Sequence, residues 1–301
     1  MNVEKNFIKK FGNNFNQNVN LSNYSWFNLG GNAEFFFKPD DKYQLLEFLV
    51  EAKKNNLQTT TLGAGSNTLF RDNGVNGAVI KLGSNFSYTK LINDNIIDAG
   101  AATLDRKVAN FARDNNLANL EFLSCIPGSI GGAVIMNSGC YENDVSKVLL
   151  SVQVIDKNNL IEREIKRKDI KFLYRGTNLT EDLIIISAKF EGSTSDKDKI
   201  TKKQSNLIER KKLSQPSQIK TCGSTFKNID KDKKAWTLIK EAGCDNFKVG
   251  DAIISKKHCN FFVNNGKAKS IDIENLIKKV KSEVYAKTGV NLELEIKIVG
   301  E

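Results

Sequence analysis

Two small-residue turns constrain this chain more than any other feature. The first is Thr61-Leu62-Gly63-Ala64-Gly65-Ser66-Asn67-Thr68-Leu69; the second, further along, is Cys125-Ile126-Pro127-Gly128-Ser129-Ile130-Gly131-Gly132-Ala133. Each leaves an apolar run with hydroxyls at hand and no bulky side chain in the way. Such turns bring backbone N–H groups close to a phosphate, and two of them can clamp a pyrophosphate from both sides. Neither reads GxGxxG or GxxxxGK(S/T), so the usual dinucleotide fingerprint and the P-loop are both excluded. Either one alone is compatible with an ordinary tight turn, where glycine is common.

At 301 residues and 40% hydrophobic content, the chain is long enough for two or three domains with buried cores. Its apolar stretches are short, as at 183–188, so none is expected to span a bilayer. The N-terminus, MNVEKNFIKKFGNN, carries charge but no apolar core of signal-peptide length. Five cysteines, odd in number and never spaced CxxC, suggest reduced thiols in a cytoplasm rather than a disulfide framework or zinc site. The net charge of +10, from 45 Lys and Arg against 35 Asp and Glu, raises the possibility of nucleic-acid binding. The basic residues are instead mixed with acids along 198–212 and 274–287, without interleaved aromatics, which fits a lysine-rich solvated surface better. A single histidine, His258, excludes multi-histidine metal sites and histidine relay pairs, and no metal is expected.

Phe7, Ile8 and Phe11 give at most a short docked helix. Residues 34–38 read as a strand stopped by Pro39, and Asp40 and Asp41 then cap a helix in which Leu45, Leu46, Leu49 and Ala52 recur at helical spacing. A strand at 58–62 feeds the first turn. Further strands are expected at 77–82, 96–99, 148–155 and 183–190, with a helix at 104–115 capped by Thr103 and another beginning at the Pro127 turn. Residues 191–198, EGSTSDKD, make the best linker: polar, small and aperiodic. Beyond them come a charged helix, a loop around Ser224, a helix at 235–242, a strand at 261–263, an amphipathic helix at 271–288 and a last strand. The pattern predicts an α+β protein with a lobe at 1–195, itself divided near residue 65, and a smaller α+β domain at 196–301.

Three polar residues stand out. Ser224 lies in Cys222-Gly223-Ser224-Thr225-Phe226-Lys227-Asn228, where the glycine permits an unusual backbone angle and Lys227 eases negative charge on the serine oxygen. A serine after glycine is also a common turn or cap residue. Arg175 follows Phe172-Leu173-Tyr174; a guanidinium there grips a carboxylate through two parallel bonds, or else forms an interface ion pair. In Leu292-Glu293-Leu294-Glu295-Ile296-Lys297-Ile298, strict alternation sets Glu293, Glu295 and Lys297 on one face. Periodicity alone does not separate a site from an ordinary solvated face.

The wording of several segments carries a family pattern. It comprises LGxGSNxL with DxGxxGxVI (62–80), IPGxxGGAxxMNxGxY (126–141), YRGT (174–177), CGSTFKN (222–228), AWTLIKEAG (235–243), SKKHCNFFVN (255–264) and LELEIKIVG (292–300). With these seven blocks in order from Tyr24 to the C-terminus, the chain resembles the UDP-N-acetylenolpyruvoylglucosamine reductases, which make UDP-N-acetylmuramate for bacterial peptidoglycan.

That resemblance implies an FAD-binding lobe of the vanillyl-alcohol-oxidase/PCMH type followed by a substrate domain, in the compact subtype without an extra tyrosine-bearing loop. It implies FAD on Gly63, Ala64, Gly65, Ser66, Asn67, Thr68, Pro127, Gly128, Ser129, Gly131, Gly132 and Ala133. The flavin is expected to be noncovalent, because the lone His258 lies far along the chain from both turns. NADPH is the implied electron donor and UDP-N-acetylglucosamine enolpyruvate the implied substrate. Ser224 is the implied proton donor, acting with Arg175 and Glu295, while Tyr174, Lys227, Asn228 and His258 contact substrate. Three positions depart from the pattern: Thr177 replaces serine, Ile229 replaces the proline after FKN, and Asn28 replaces a basic residue. A monomer without nucleic-acid or membrane partners is expected. The rivals are another FAD-dependent oxidase or dehydrogenase, and a non-catalytic nucleotide- or nucleic-acid-binding protein.

Overall fold

The computed structural model describes residues 3–230 and 232–301, with helices and strands mixed throughout. Contacts divide the chain into two units. One takes Met1–Asn16, Phe35–Ala64 and Gly77–Lys211; the other takes Gln17–Glu34, Gly65–Asn76 and Lys212–Glu301.

In the first unit, an antiparallel sheet runs in the order Glu162–Lys166, Leu149–Asp156, Leu183–Glu191, Ile96–Gly100, Thr89–Asn93. Val152, Val154, Ile185, Ala188, Ile97 and Ala99 face a core shared with the helix Asp105–Asp114, which contributes Val108, Ala109 and Ala112. A second core is built from phenylalanines. Phe37 and Phe48 stack at 3.9 Å, while Phe7 and Phe11 dock the helix Val3–Phe11 onto them and Ile8 faces solvent. The helix Lys42–Lys54 starts where the acids predict, with the Asp41 carboxylate accepting from the Gln44 N–H at 2.9 Å. Thr59–Thr61 pairs in parallel with the end of Val75–Ile80, and Leu62 N–H donates to the Ile80 carbonyl, so the first glycine turn leaves the edge of that pair.

Two local expectations are corrected. Thr103 does not cap the next helix: its hydroxyl donates to the Tyr88 carbonyl at 2.9 Å, its N–H is taken by Gly100, and the N-cap position falls to Leu104. Residues 191–198 do not form a free linker either. Ser193 and Thr194 pair with Ala118 and Leu117, and the helix Lys197–Ser214 begins inside the stretch. Its small polar side chains hide a backbone that is fully capable of strand pairing.

The second unit packs the helices Ala235–Glu241 and Ser270–Thr288 on a sheet of Lys248–Val249, Ala252–Ile254 and Phe262–Asn264. Leu238, Ile239, Phe262, Ile273, Leu276, Ile277, Val280 and Val284 form its core. The long helix stops at Gly289, whose φ of 68° supplies the left-handed residue that a helix end needs. The last strand is shorter than its alternation suggests. Only Lys297–Val299 pairs, in parallel with Thr68–Phe70, because the residues before it turn to a different neighbour, the loop around Ser224.

Candidate active site

Within the first unit, Gly63 and the second turn meet. A Cβ on Gly63 would lie 3.0 Å from Ser129 Oγ and 4.0 Å from Gly132 Cα; one on Gly132 would lie 3.8 Å from the same hydroxyl. Ser129 is buried, and its Oγ has no hydrogen-bond partner among the described residues. A buried hydroxyl left unpaired between two glycines leaves room and a donor for a ligand oxygen. Lys81 donates to the Gly63 carbonyl at 2.7 Å and fixes that peptide, while burial lowers the ammonium's pKa. Pro127 is exposed and Ala64 half-buried beside this seat, whereas Ala133 is packed in the core.

The other glycines of the two turns answer to packing. Gly65 has φ 69°, and a Cβ there would lie 1.8 Å from the Tyr24 carbonyl oxygen. A Cβ on Gly128 would lie 2.6 Å from Asp105 Oδ2, and one on Gly131 would press at 3.2 Å on Ala101. The N–H groups of Ile130 and Gly131 donate to the Thr103 and Ala101 carbonyls, both at 2.9 Å, so they secure the turn itself. Asp105 is fully buried, with neither carboxylate oxygen in a well-formed hydrogen bond among the described residues. Burial therefore pushes its pKa well above the ordinary carboxylate range, an effect the nearby Gly128 N–H only partly offsets.

Tyr174 and Arg175 form the turn of a hairpin in which Phe172–Leu173 pairs with Gly176–Thr177. Arg175 adopts φ 57°, unusual for a residue with a side chain, and its guanidinium lies 5.0 Å from the Tyr174 ring. Neighbours hold the hairpin in this shape. Asn137 donates to the Leu173 carbonyl at 3.1 Å, Thr177 Oγ1 to the Ile135 carbonyl at 3.2 Å, and Arg175 itself to the Gly139 carbonyl at 3.1 Å. A serine at position 177 would offer the same kind of hydroxyl to the Ile135 carbonyl.

In the second unit, the segment 224–227 runs between two extended neighbours. Ser224 bridges Phe261 and Phe226 bridges Leu294, while Glu295 N–H donates to the Thr225 carbonyl at 2.9 Å and Lys227 N–H to the Glu293 carbonyl at 2.8 Å. Ser224 and Glu295 are thereby held on adjacent backbones. On the same side, Asn67 Nδ2 donates to the Glu295 carbonyl at 2.9 Å, and the Asn67 carbonyl accepts from Lys297 N–H at 2.9 Å. The Thr68 carbonyl takes the Ser25 hydroxyl at 2.7 Å and the Cys222 thiol at 3.4 Å. Ser66, just before these two anchored residues, is half-buried.

The remaining expected contacts also have structural partners. Lys227 Nζ sits 3.6 Å from the exposed Glu293 carboxylate. Asn228 Oδ1 accepts from Ala235 N–H at 3.1 Å and so supports the start of the next helix. Ile229 gives its N–H to the Lys233 carbonyl at 3.1 Å, a bond that the family proline would lack. Asn28 stands at φ 50° and donates to the Ser22 carbonyl, closing its own turn. His258 Nδ1 accepts from Asn260 N–H at 3.3 Å, its ring meets Phe261 edge-on at 4.8 Å, and burial lowers its pKa. A neutral ring is the form consistent with an accepting Nδ1. The residue that sequence reasoning missed is Asn260. Only 2% exposed, it accepts from Phe226 N–H at 2.9 Å, donates to the Phe226 carbonyl at 2.8 Å, and takes Thr225 N–H on its own carbonyl at 2.7 Å.

The chain is a flavoprotein: residues 33–163 match the FAD binding domain family, and residues 215–299 match the C-terminal domain of UDP-N-acetylenolpyruvoylglucosamine reductase. The reductase of Pelagibacter ubique (strain HTCC1062) is 44% identical across 99% of this chain and 100% of its own. That of Rickettsia prowazekii (strain Madrid E) is 40% identical across 95% and 96%. The crystal structure of the Thermus caldophilus reductase superposes with a TM-score of 0.82 at 30% identity, covering 93% of this chain and 97% of that one. The chain belongs to the UDP-N-acetylenolpyruvoylglucosamine reductase family. The orphan Ser129 hydroxyl and the open face of Gly132 fit the phosphate-bearing part of FAD, with Gly63 close against the same hydroxyl. Among the described residues, no helix is long and apolar enough to cross a membrane, and no cluster of side chains suits a metal ion.

Proposed function

We propose that the protein reduces the enolpyruvyl double bond of UDP-N-acetylglucosamine enolpyruvate to give UDP-N-acetylmuramate, with NADPH as donor and FAD held noncovalently. FAD held beside Gly63, Ser129 and Gly132 would supply the hydride chemistry needed at the terminal methylene of the substrate. Negative charge then builds on the neighbouring carbon and its carboxylate, and that carbon must receive a proton. Ser224 delivers the proton, with Lys227 reducing the cost of the alkoxide left behind. Arg175 grips the carboxylate, and Glu295 as a protonated acid stabilises the developing charge by hydrogen bonding. Tyr174, Asn228 and His258 complete the substrate contacts. The flavin lobe runs to about residue 195 and lends Tyr174 and Arg175 to the substrate, while the residues after it take the rest of the sugar nucleotide, in a cytoplasmic monomer.

The observation that carries this reading is the backbone clamp that places Ser224 and Glu295 on neighbouring segments. An alcohol-oxidising flavoenzyme has no carbon to protonate and no use for such a pair. Purified protein should release FAD on acid precipitation and consume NADPH in equal amount to the enolpyruvyl sugar. Flavin that NADPH bleaches but the UDP-sugar fails to reoxidise would overturn the assignment.

A further inference from the structure

Cys125 and Cys140 lie side by side in the first unit, outside the chemistry described above. Cys125 precedes the Ile126-Pro127-Gly128 turn and is buried; Cys140 is half-buried in the two-residue strand Gly139–Cys140. The segments that carry them, Glu121–Cys125 and Gly139–Cys140, pack against each other, so each thiol feels the other's charge. Two cations face the pair. Lys211 donates to the Cys125 carbonyl at 2.5 Å, and Arg175 donates to the carbonyl of Gly139, the residue before Cys140. The neighbouring Cys140 thiol, aided by Ser124 and Lys211, brings Cys125 down to about 7, whereas the Cys125 thiol together with burial raises Cys140. The other thiols differ. Burial pushes Cys222 and Cys244 up to about 11 and raises Cys259 too, so all three stay protonated and slow to react.

We propose that Cys125 and Cys140 are an oxidation site for hydrogen peroxide, closing a reversible disulfide between the flavin turn and the strand that holds Arg175. The thiolate of the pair attacks one peroxide oxygen, the O–O bond breaks, and the departing hydroxide takes a proton to leave as water, giving a sulfenic acid. The second thiol attacks that sulfur and expels another water. In sum, two thiols and one hydrogen peroxide become one disulfide and two waters. Drawing the two sulfurs to bonding distance would move Gly139, and with it the carbonyl that anchors Arg175. The loss of rate rests on the role proposed for Arg175; formation of the disulfide does not.

The test treats the FAD-loaded enzyme with a small excess of hydrogen peroxide, then alkylates and maps its peptides. The expected map joins the Cys125 and Cys140 peptides and leaves three of the five cysteines alkylated. Reoxidation of the flavin by the UDP-sugar should fall by roughly 10–10² and return with dithiothreitol. Cys140→Ser should keep its basal rate and resist reversible inactivation. A wild-type map without that cross-link, or one joining other cysteines, overturns the proposal even if the variant folds poorly. So does equal reversible inactivation of Cys140→Ser; a disulfide that leaves reoxidation unchanged overturns its link to Arg175. Failure of the functional assignment looks different: the reduced, untreated protein would not turn over the UDP-sugar at all.

Discussion

The Asn260 side chain closes on the Phe226 backbone from both ends, accepting from its N–H at 2.9 Å and donating to its carbonyl at 2.8 Å. Phe226 is fully buried, so without this amide both groups would sit unpaired in the core, two residues beyond Ser224. Asn260→Ala should therefore destabilise the protein by at least about 1–3 kcal/mol and slow flavin reoxidation, while NADPH still reduces the flavin. Asn260→Asp adds a pH signature. Its carboxylate still accepts from the N–H but repels the carbonyl, and protonation restores a donor. Thermal melts should show that variant closer to wild type at pH 5 than at pH 8. Equal deficits at both pH values would mean that the amide's donor is not needed.

Gly132→Ala separates flavin binding from folding. The added methyl meets nothing nearer than Ser129 Oγ at 3.8 Å, and alanine favours a helix over glycine by about 1 kcal/mol, so the flavin-free protein should melt no lower than wild type. The same methyl occupies the space assigned to a phosphate, so the ratio of bound flavin to protein after purification should drop. Full loading would place the cofactor elsewhere. Gly65→Val cannot make this distinction, because its Cβ collides with the Tyr24 carbonyl before any flavin arrives.

Asp105 predicts a slope in stability with pH. Its pKa is raised in the folded protein, so between the unfolded value near 3.8 and the higher folded value the native state holds the extra proton. Unfolding then releases a proton, and stability falls as pH rises through that window. Asp105→Asn removes the titration while keeping the shape. Its melting temperature should exceed that of wild type at pH 8 by more than it does at pH 5. Parallel curves for the two proteins would show that Asp105 is not buried in its neutral form.

How far the sequence disclosed all this depends on how local each cause is. The Asp41 cap and the buried face of Leu45, Leu49 and Ala52 were readable because partner and pattern lie within one helix. Leu183–Glu191 announced itself by its run of β-branched residues. The two glycine turns were visible as wording, yet not which glycine served which purpose. Gly65 answers to the Tyr24 carbonyl and Gly128 to Asp105, neighbours supplied by the fold. Asn260 hid for the same reason, since it sits 34 residues from the backbone it clamps. The YRGT wording marked Arg175, but its left-handed turn depends on partners outside the hairpin, Asn137 donating to Leu173 and the Ile135 carbonyl accepting from Thr177. The last strand misled in length because alternation records burial and does not say which neighbour each residue pairs with.

Arg175 and Glu295 are expected to act on the substrate and not in flavin reduction. Arg175→Met or Glu295→Gln should slow reoxidation by the UDP-sugar by about 10²–10³, the usual loss for one electrostatic contact to developing charge. Bleaching by NADPH should stay near normal in both. Arg175→Met also removes the bond to the Gly139 carbonyl, so its thermal stability should be measured alongside. Stopped-flow traces in which the two half-reactions fall together would make either residue structural.

Ser224 gives the most discriminating test. Gly223 before it stands at φ 80° with open space around its Cβ position, and Thr225 after it is tied to Asn260 and Glu295, so the loop is held by backbone and not by the serine hydroxyl. Ser224→Ala should therefore fold, keep its FAD and accept electrons from NADPH as wild type does. Reoxidation by the enolpyruvyl sugar should fall by about 10²–10⁴, the range for a lost general acid. Ser224→Cys should recover part of that loss, because a thiol of lower pKa still donates a proton. A serine that only shaped the turn would instead give small, similar losses for Ala and Cys and a lower melting temperature in both. Measuring each half-reaction in the two variants decides between these outcomes, and near-normal reoxidation in Ser224→Ala would remove it as the proton donor.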